Sequence, residues 1–182
     1  MCTCQSTGVP IHELAAKGFQ AGADAYERGR PSYPDEAIAF TVEMLGLDAA
    51  ATVVDLGAGT GKLTRLLVPS GARVVAVEPV EGMRRKLVEL AAGAVRVLDG
   101  TAEAIPLPNG SADAVVVGQA FHWFAGAPAL REIHRVLCPD GRLALLWNVR
   151  DESEPWGASI STTRKSPELI GMSSGMTAHM EA

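Results

Sequence analysis

The chain has 182 residues, 47% of them hydrophobic, and a formal net charge of −5. That length and apolar share suit one domain with a real core, and the acidic balance argues against a nucleic-acid-binding surface, which would be basic. No apolar run approaches the ~18 residues of a membrane span, no basic-then-apolar leader opens the chain, and its three cysteines are too few for a disulfide framework. Together these point to a reducing cytoplasm, with neither nucleic acid nor membrane as partner.

Residues 1–10 are polar and contain Gly8 and Pro10, the pattern of a loose end. Cys2 and Cys4 form a C-x-C pair without further ligands, and no metal site is expected there. His12 to Ala25 carries Leu14, Ala15, Phe19 and Ala23, a modest helical signal. Pro31 and Pro34 then break any helix across Tyr26 to Pro34. From Asp35 the helical pattern is clearer: Ile38, Thr41, Val42 and Leu45 share a face, acids fill the first turn, and Gly46 closes it.

Val53, Val54 and Leu56 then read as a short buried strand. Gly57, Gly59 and Gly61 follow at spacing two, and Leu63, Leu66 and Leu67 mark a helix face. A strand that ends in glycines before a helix is a nucleotide-type site. The glycines permit positive φ and close approach of a ligand to the backbone, and a helix start offers unpaired N–H groups. The dinucleotide fingerprint G-x-G-x-x-G would need glycine at position 62, where Lys62 stands.

Arg73 to Glu78 reads as a second strand, followed by a helix with Met83, Leu87 and Leu90 on one face. Ala94 to Leu98 reads as a third strand, and Asp99 to Ser111 as a loop holding Pro106, Pro108 and an Asn109-Gly110 turn. Asp113 to Gly118 is the fourth strand. Pro128 to Leu137 is a helix with Leu130, Ile133 and Leu137 inward and Cys138 at its end as a small hydrophobe. Pro139-Asp140-Gly141 makes a turn before a fifth strand, Leu143 to Val149. Alternating strands and helices predict an α/β fold with a doubly wound parallel sheet and helices on both faces, and the continuous apolar strands agree with burial on both sides. Ligands then bind beyond the strand carboxyl ends. Beyond Trp156, Ser, Thr, Gly and Met dominate. The expected organisation is an N-terminal helix and lid segment over 1–34, a core over 35–156, and an irregular tail over 157–182.

Two acids stand out. Glu78 ends the second strand 21 positions after Gly57, where a carboxylate can accept hydrogen bonds from both hydroxyls of a ribose; the alternative is a solvated strand-end acid. Asp55 lies in an apolar strand, where an unsatisfied carboxylate is costly. It either accepts bonds from turn N–H groups, meets a ligand ammonium, or fixes the glycine turn as a purely structural acid.

Val53 to Thr64, Val77-Glu78-Pro79, Gly100 to Pro106, and His134 to Leu137 with Pro139-Asp140-Gly141 resemble the successive motifs of class I S-adenosylmethionine-dependent methyltransferases. The resemblance is to the type 11 small-molecule group that includes ubiquinone/menaquinone-biosynthesis and trans-aconitate methyltransferases. Ala120 to Phe124 and the segment Tyr26…Arg30-Pro31…Tyr33-Pro34 look typical of the latter branch. The resemblance covers residues 12–156 and implies a Rossmann-like, mostly parallel sheet. It also implies S-adenosylmethionine as cofactor and a small-molecule acceptor of carboxylate or hydroxyl type. Carried over by position, Gly57, Ala58 and Gly59 would lie under the methionine part, with Asp55 near its amino group. Glu78 would hold the ribose, Pro79 and Met83 would pack on the adenine, and Ala102 and Glu103 would border its edge. Many relatives carry Asp where this chain has Thr101. Gln119 and Ala120 would stand close to the reacting methyl, and Tyr26 and Arg30 in the segment over the cofactor.

Methyl transfer from a sulfonium needs alignment and water exclusion more than a dedicated nucleophile. His122 is the candidate base, or else it walls the pocket with Trp123 and Phe124. Arg28 and Arg30 either bind a carboxylate or sit in solvent. Tyr33 helps close the lid or packs, and Trp147 and Asn148 line the acceptor side or the core. The family fold normally adds a helix and two more strands, which residues 157–182 do not contain. The chain therefore reads as C-terminally truncated, lacking the usual last two strands, with an exposed sheet edge open to self-association. The competing readings are an inactive cofactor-binding remnant and a nicotinamide oxidoreductase; Lys62 and the downstream motifs count against the second.

Overall fold

A computed structural model describes residues 23–148. The helix expected over His12 to Ala25 lies almost wholly outside them, as does the tail expected over 157–182. Two helices precede the sheet: α1 (Ala23–Gly29) and α2 (Asp35–Leu45). Then come β1 (Thr52–Leu56), α3 (Lys62–Leu67), β2 (Arg73–Val77), α4 (Glu81–Ala91), β3 (Arg96–Leu98), β4 (Ala112–Gly118), α5 (Gly126–Val136) and β5 (Leu137–Leu146). The strands form one sheet in the order β3-β2-β1-β4-β5, every pairing parallel. The order reverses between β1 and β4, so the crevice above their carboxyl ends is the natural ligand site.

The sheet is buried on both faces, which is why its strands are apolar without alternation. Val53, Val74, Ala114 and Val116 meet α2 and α3 through Ile38, Leu45, Leu63 and Leu67. Val54, Val75, Val115 and Val117 face the other way, onto Ala129, Ile133 and Val136 of α5 and onto Ala102 and Ile105 of the long loop. On the first face Ala76 receives Leu87 and Ala91 of α4. The doubly wound arrangement expected from the alternation is the one found.

Three local readings change. The helix α1 continues through Tyr26 to Gly29, because a proline disfavours helix in the residue before it and not five residues back. In α5 the inward positions are Ala129, Ile133 and Val136, spaced i, i+4, i+7, while Leu130 is 46% exposed. β5 begins at Leu137, placing Cys138 on a strand and not at a helix end. Pairing with β4 jumps from Ala112–Leu137 to Ala114–Arg142, so residues 138–141, with the Pro139-Asp140-Gly141 turn, are an insertion within the strand. Asp140 there has φ 65.

Candidate functional site

The glycine turn after β1 is anchored to β2. The N–H groups of Gly57 and Ala58 both donate to the carbonyl of Val77, at 2.8 and 3.2 Å. Gly57 has φ +72, and a Cβ there would stand 2.8 Å from the Cβ of Ala120 and 3.1 Å from Phe124. Glycine is therefore required twice, for the backbone angle and for the approach of the segment after β4. Gly59 donates its N–H to Glu78 Oε2 at 2.8 Å. The other oxygen of Glu78 accepts the N–H of Val80 at 2.9 Å. Thus Glu78, only 6% exposed, already holds the turn. Each carboxylate oxygen keeps a second lone pair. Burial pushes the Glu78 carboxyl up, against the backbone bonds and the nearby Arg84 charge, which draw it down.

An open crevice of about 760 Å³, counting its mouth, lies over this turn. Gly57, Gly59, Glu78, Pro79, Met83, Ala102, Glu103, Gln119 and Ala120 line it. The structure thus brings together nine of the positions singled out in the sequence. Val80, Gly100, Thr101, Gly118, Trp123 and Phe124 complete the wall. Gly100 is fixed by packing, since a Cβ there would lie 2.5 Å from Pro106 Cδ. The loop carrying Thr101 and Ala102 is pinned to α5. Arg135 donates to the carbonyls of Ile105 and Leu107, both at 2.8 Å, and Glu132 accepts the N–H of Ile105. Glu103 does not present a free carboxylate: Oε1 accepts the N–H of Ala125 at 2.7 Å, tying the loop to the start of α5.

The end of β4 forms the opposite wall. Gln119 has φ 60, a left-handed angle that strains a residue with a Cβ. Its N–H donates to Leu146 of β5 at 2.9 Å, which holds it there. Phe121–Trp123 make a short 3-10 turn, with Phe121 edge-on to Phe124 at 5.8 Å. Trp123 is 47% exposed although it lines the crevice. His122 stacks against it at 4.9 Å and is not itself among the lining residues. Partial burial, then the charge of Arg30, hold His122 below its usual range. Arg30 is exposed and is not among the residues that line the crevice.

Asp55 and Ala58 stand apart from the crevice. Ala58 packs toward Ala76, Leu87 and Ala91. Asp55 is 1% exposed and accepts the Thr64 hydroxyl at 2.5 Å, joining β1 to α3 and not to the turn's N–H groups. Burial pushes its carboxyl up to about 7, with the negative charge of Glu78 adding and the Thr64 bond opposing. Tyr26 stands in α1, and its side chain lies outside the described residues.

Two residues not singled out in the sequence take part in this architecture. Glu27 of α1 accepts from the buried Thr60 hydroxyl at 2.5 Å and from Arg65 at 2.6 Å, with Lys62 at 3.5 Å. It fastens α1 to the glycine turn. Arg84 of α4 donates to the carbonyls of Glu78 and Pro79 and to both oxygens of Asp99. The Glu27 contacts join residues far apart in the chain, and Arg84 reaches backbone carbonyls five and six residues back, so no side-chain pattern marks either residue.

A glycine turn after the first strand, a buried carboxylate after the second, and a crevice where the strand order reverses define an α/β protein of the nucleotide-binding class. The sequence model of the methyltransferase-domain family matches residues 54–145, and the chain belongs to that family. It is 50% identical over 153 residues to an uncharacterised methyltransferase of Mycobacterium tuberculosis H37Rv, covering 84% of this chain and 58% of that protein. It is 34% identical over 143 residues to the demethylmenaquinone methyltransferase of Thermus thermophilus, covering 75% of this chain and 60% of that one. The chain therefore spans somewhat over half the length of these relatives. The fold matches a putative S-adenosyl-L-methionine-dependent methyltransferase of Methanococcus maripaludis with a TM-score of 0.62 at 22% identity, covering 88% of this chain and 74% of that one.

Proposed function

We propose that the crevice binds S-adenosylmethionine and that the chain belongs to an enzyme that methylates a small molecule at a carboxylate or hydroxyl oxygen. The observation that carries the reading is Glu78: a buried carboxylate, held by Gly59 and Val80, with lone pairs to spare at a crevice lined by glycine backbone. That chemistry fits a ribose, whose two hydroxyls need acceptors. The cradle also fits, since Gly59 lines the crevice and a Cβ there would stand in open space.

When bound, the cofactor supplies an electrophilic methyl group on sulfur. The residues of this chain do the rest. Glu78 accepts the ribose hydroxyls, Pro79 and Met83 give the base an apolar face, and Gln119 and Ala120 close on the reacting end. Trp123 and Phe124 exclude water from that end. Asp55, behind the turn and bonded to Thr64, acts on the amino group of the methionine part only through its charge, which it carries above about pH 7. His122, beside Trp123, accepts the proton of a hydroxyl acceptor or orients it.

Incubation with S-adenosylmethionine and panels of acids, quinols and phenols tests the reading. Formation of S-adenosylhomocysteine above the acceptor-free rate supports it. Failure to bind S-adenosylmethionine or S-adenosylhomocysteine overturns it.

A further inference from the structure

The loop that follows β3 and the turn that follows β2 form two facing walls of the crevice. Pro79, Val80 and Met83 stand on one, Gly100, Thr101 and Ala102 on the other. One side chain spans the seam behind them. Arg84 Nη1 donates to the Glu78 carbonyl at 2.9 Å, the Pro79 carbonyl at 2.6 Å and Asp99 Oδ1 at 2.9 Å. Nη2 donates to Asp99 Oδ2 at 3.0 Å. Asp99 directly precedes Gly100, so a single guanidinium fixes the spacing of both walls. Arginine suits this role because its planar fork reaches two carbonyls and a carboxylate at once. Its side chain is 19% exposed, whereas Asp99 is 71% exposed, so the carbonyl end of the fork is the protected one.

The same guanidinium touches Glu78 at its backbone carbonyl, and its charge also acts on the carboxylate. The charged groups that act on this carboxylate come from three elements. Asp99 after β3 is negative, Asp55 on β1 becomes negative as pH passes about 7, and Arg84 on α4 is positive. We propose that Arg84 is a positioning residue for the nucleoside half of the ligand: it braces both walls of the slot from behind, through the carbonyls of Glu78 and Pro79 and the carboxylate of Asp99. This rests on the reading of the crevice as an S-adenosylmethionine site and names a residue that nothing in the glycine turn or in Glu78 itself implies.

Two consequences separate the brace from a merely structural bond. Removing the positive charge makes Glu78 harder to ionise, so ligand uptake fails at a higher pH on acidification. Removing the Asp99 charge acts in the opposite direction, because Asp99 now raises the Glu78 carboxyl.

The test is calorimetric titration of wild type, R84M, R84K and D99N with S-adenosylhomocysteine across pH ~5.5 to ~8.5. R84M is expected to bind about tenfold more weakly at neutral pH, the scale of losing charge-assisted bonds, and to lose binding at a higher pH than wild type. R84K keeps the wild-type pH profile while remaining weaker, since an ammonium restores the charge and not the fork. D99N moves the profile to lower pH. A wild type that binds while R84M matches it in affinity and profile overturns the brace, as do R84M and D99N profiles that shift the same way.

A wild type that binds nothing overturns the cofactor reading instead, and the ligand-free melt then judges Arg84. A raised carboxyl weakens the fold above its unfolded range, the more so the higher it is raised. The melting deficit of R84M therefore widens as pH rises if Arg84 keeps Glu78 ionised. A deficit constant with pH overturns it.

Discussion

Replacing Asp55 with Asn is expected to stabilise the chain at neutral and alkaline pH while weakening ligand uptake. Asp55 is 1% exposed, and burial lifts its carboxyl from 3.8 to about 7. A raised carboxyl penalises the charged folded state, so stability is highest at acid pH and falls as pH climbs from the unfolded value through the folded one. At 1.36 kcal/mol for each unit of pKa, the full penalty reaches ~4 kcal/mol once the pH exceeds 7. An amide carries no such charge, and its oxygen can still accept the Thr64 hydroxyl. The D55N advantage should thus be small near pH 4.5, grow through the window between about 4 and 7, and level off above it. Urea unfolding of both chains at half-unit pH steps reads this directly. An acid kept at such a cost is the mark of a functional site, and D55N should bind S-adenosylhomocysteine more weakly than wild type. A difference that is flat with pH, or that favours wild type at pH 8, refutes the assignment of Asp55 as a buried, destabilising carboxylate.

The G57A variant should lose ~1–3 kcal/mol of stability, since its Cβ meets Ala120 and Phe124 at φ +72; urea unfolding measures the loss, and wild-type stability contradicts the packing described. E27Q should release α1 from the glycine turn, because the bonds to Thr60 and Arg65 lose their charge. Limited proteolysis between α1 and α2 should then run several-fold faster, and an unchanged cleavage rate shows that α1 is held otherwise.

The strands were legible in the sequence because parallel strands buried on both faces must be apolar throughout, and Val53-Val54, Val74 to Val77 and Val115 to Val117 are. The glycine turn and Glu78 were legible because their backbone requirement and spacing are local. Errors arose where tertiary context decides. Leu130 is apolar yet exposed, and the smaller Ala129 takes the inward place, so residue type alone misjudged the face of α5. The strand β5 reaches back past Pro139 and Gly141 because pairing with β4 resumes on both sides of the insertion. That Glu103, which lines the crevice, gives an oxygen to Ala125 is not an error of reading but a contact that only folding supplies. Glu27 left no trace in the sequence because folding alone brings Thr60 and Arg65 to it, and Arg84 left none because two of its partners are backbone carbonyls, which no side-chain pattern marks.

The claim on which the rest depends is that Glu78 grips the sugar of a nucleoside sulfonium above the glycine turn. Calorimetric titration of wild type and E78Q with S-adenosylhomocysteine at pH 7.5, alongside their urea midpoints, tests it most directly. The account predicts saturable one-to-one binding by wild type and at least a tenfold loss in a folded E78Q, the scale of one charge-assisted hydrogen bond. Equal affinity in the two folded chains, or no uptake by wild type, contradicts it.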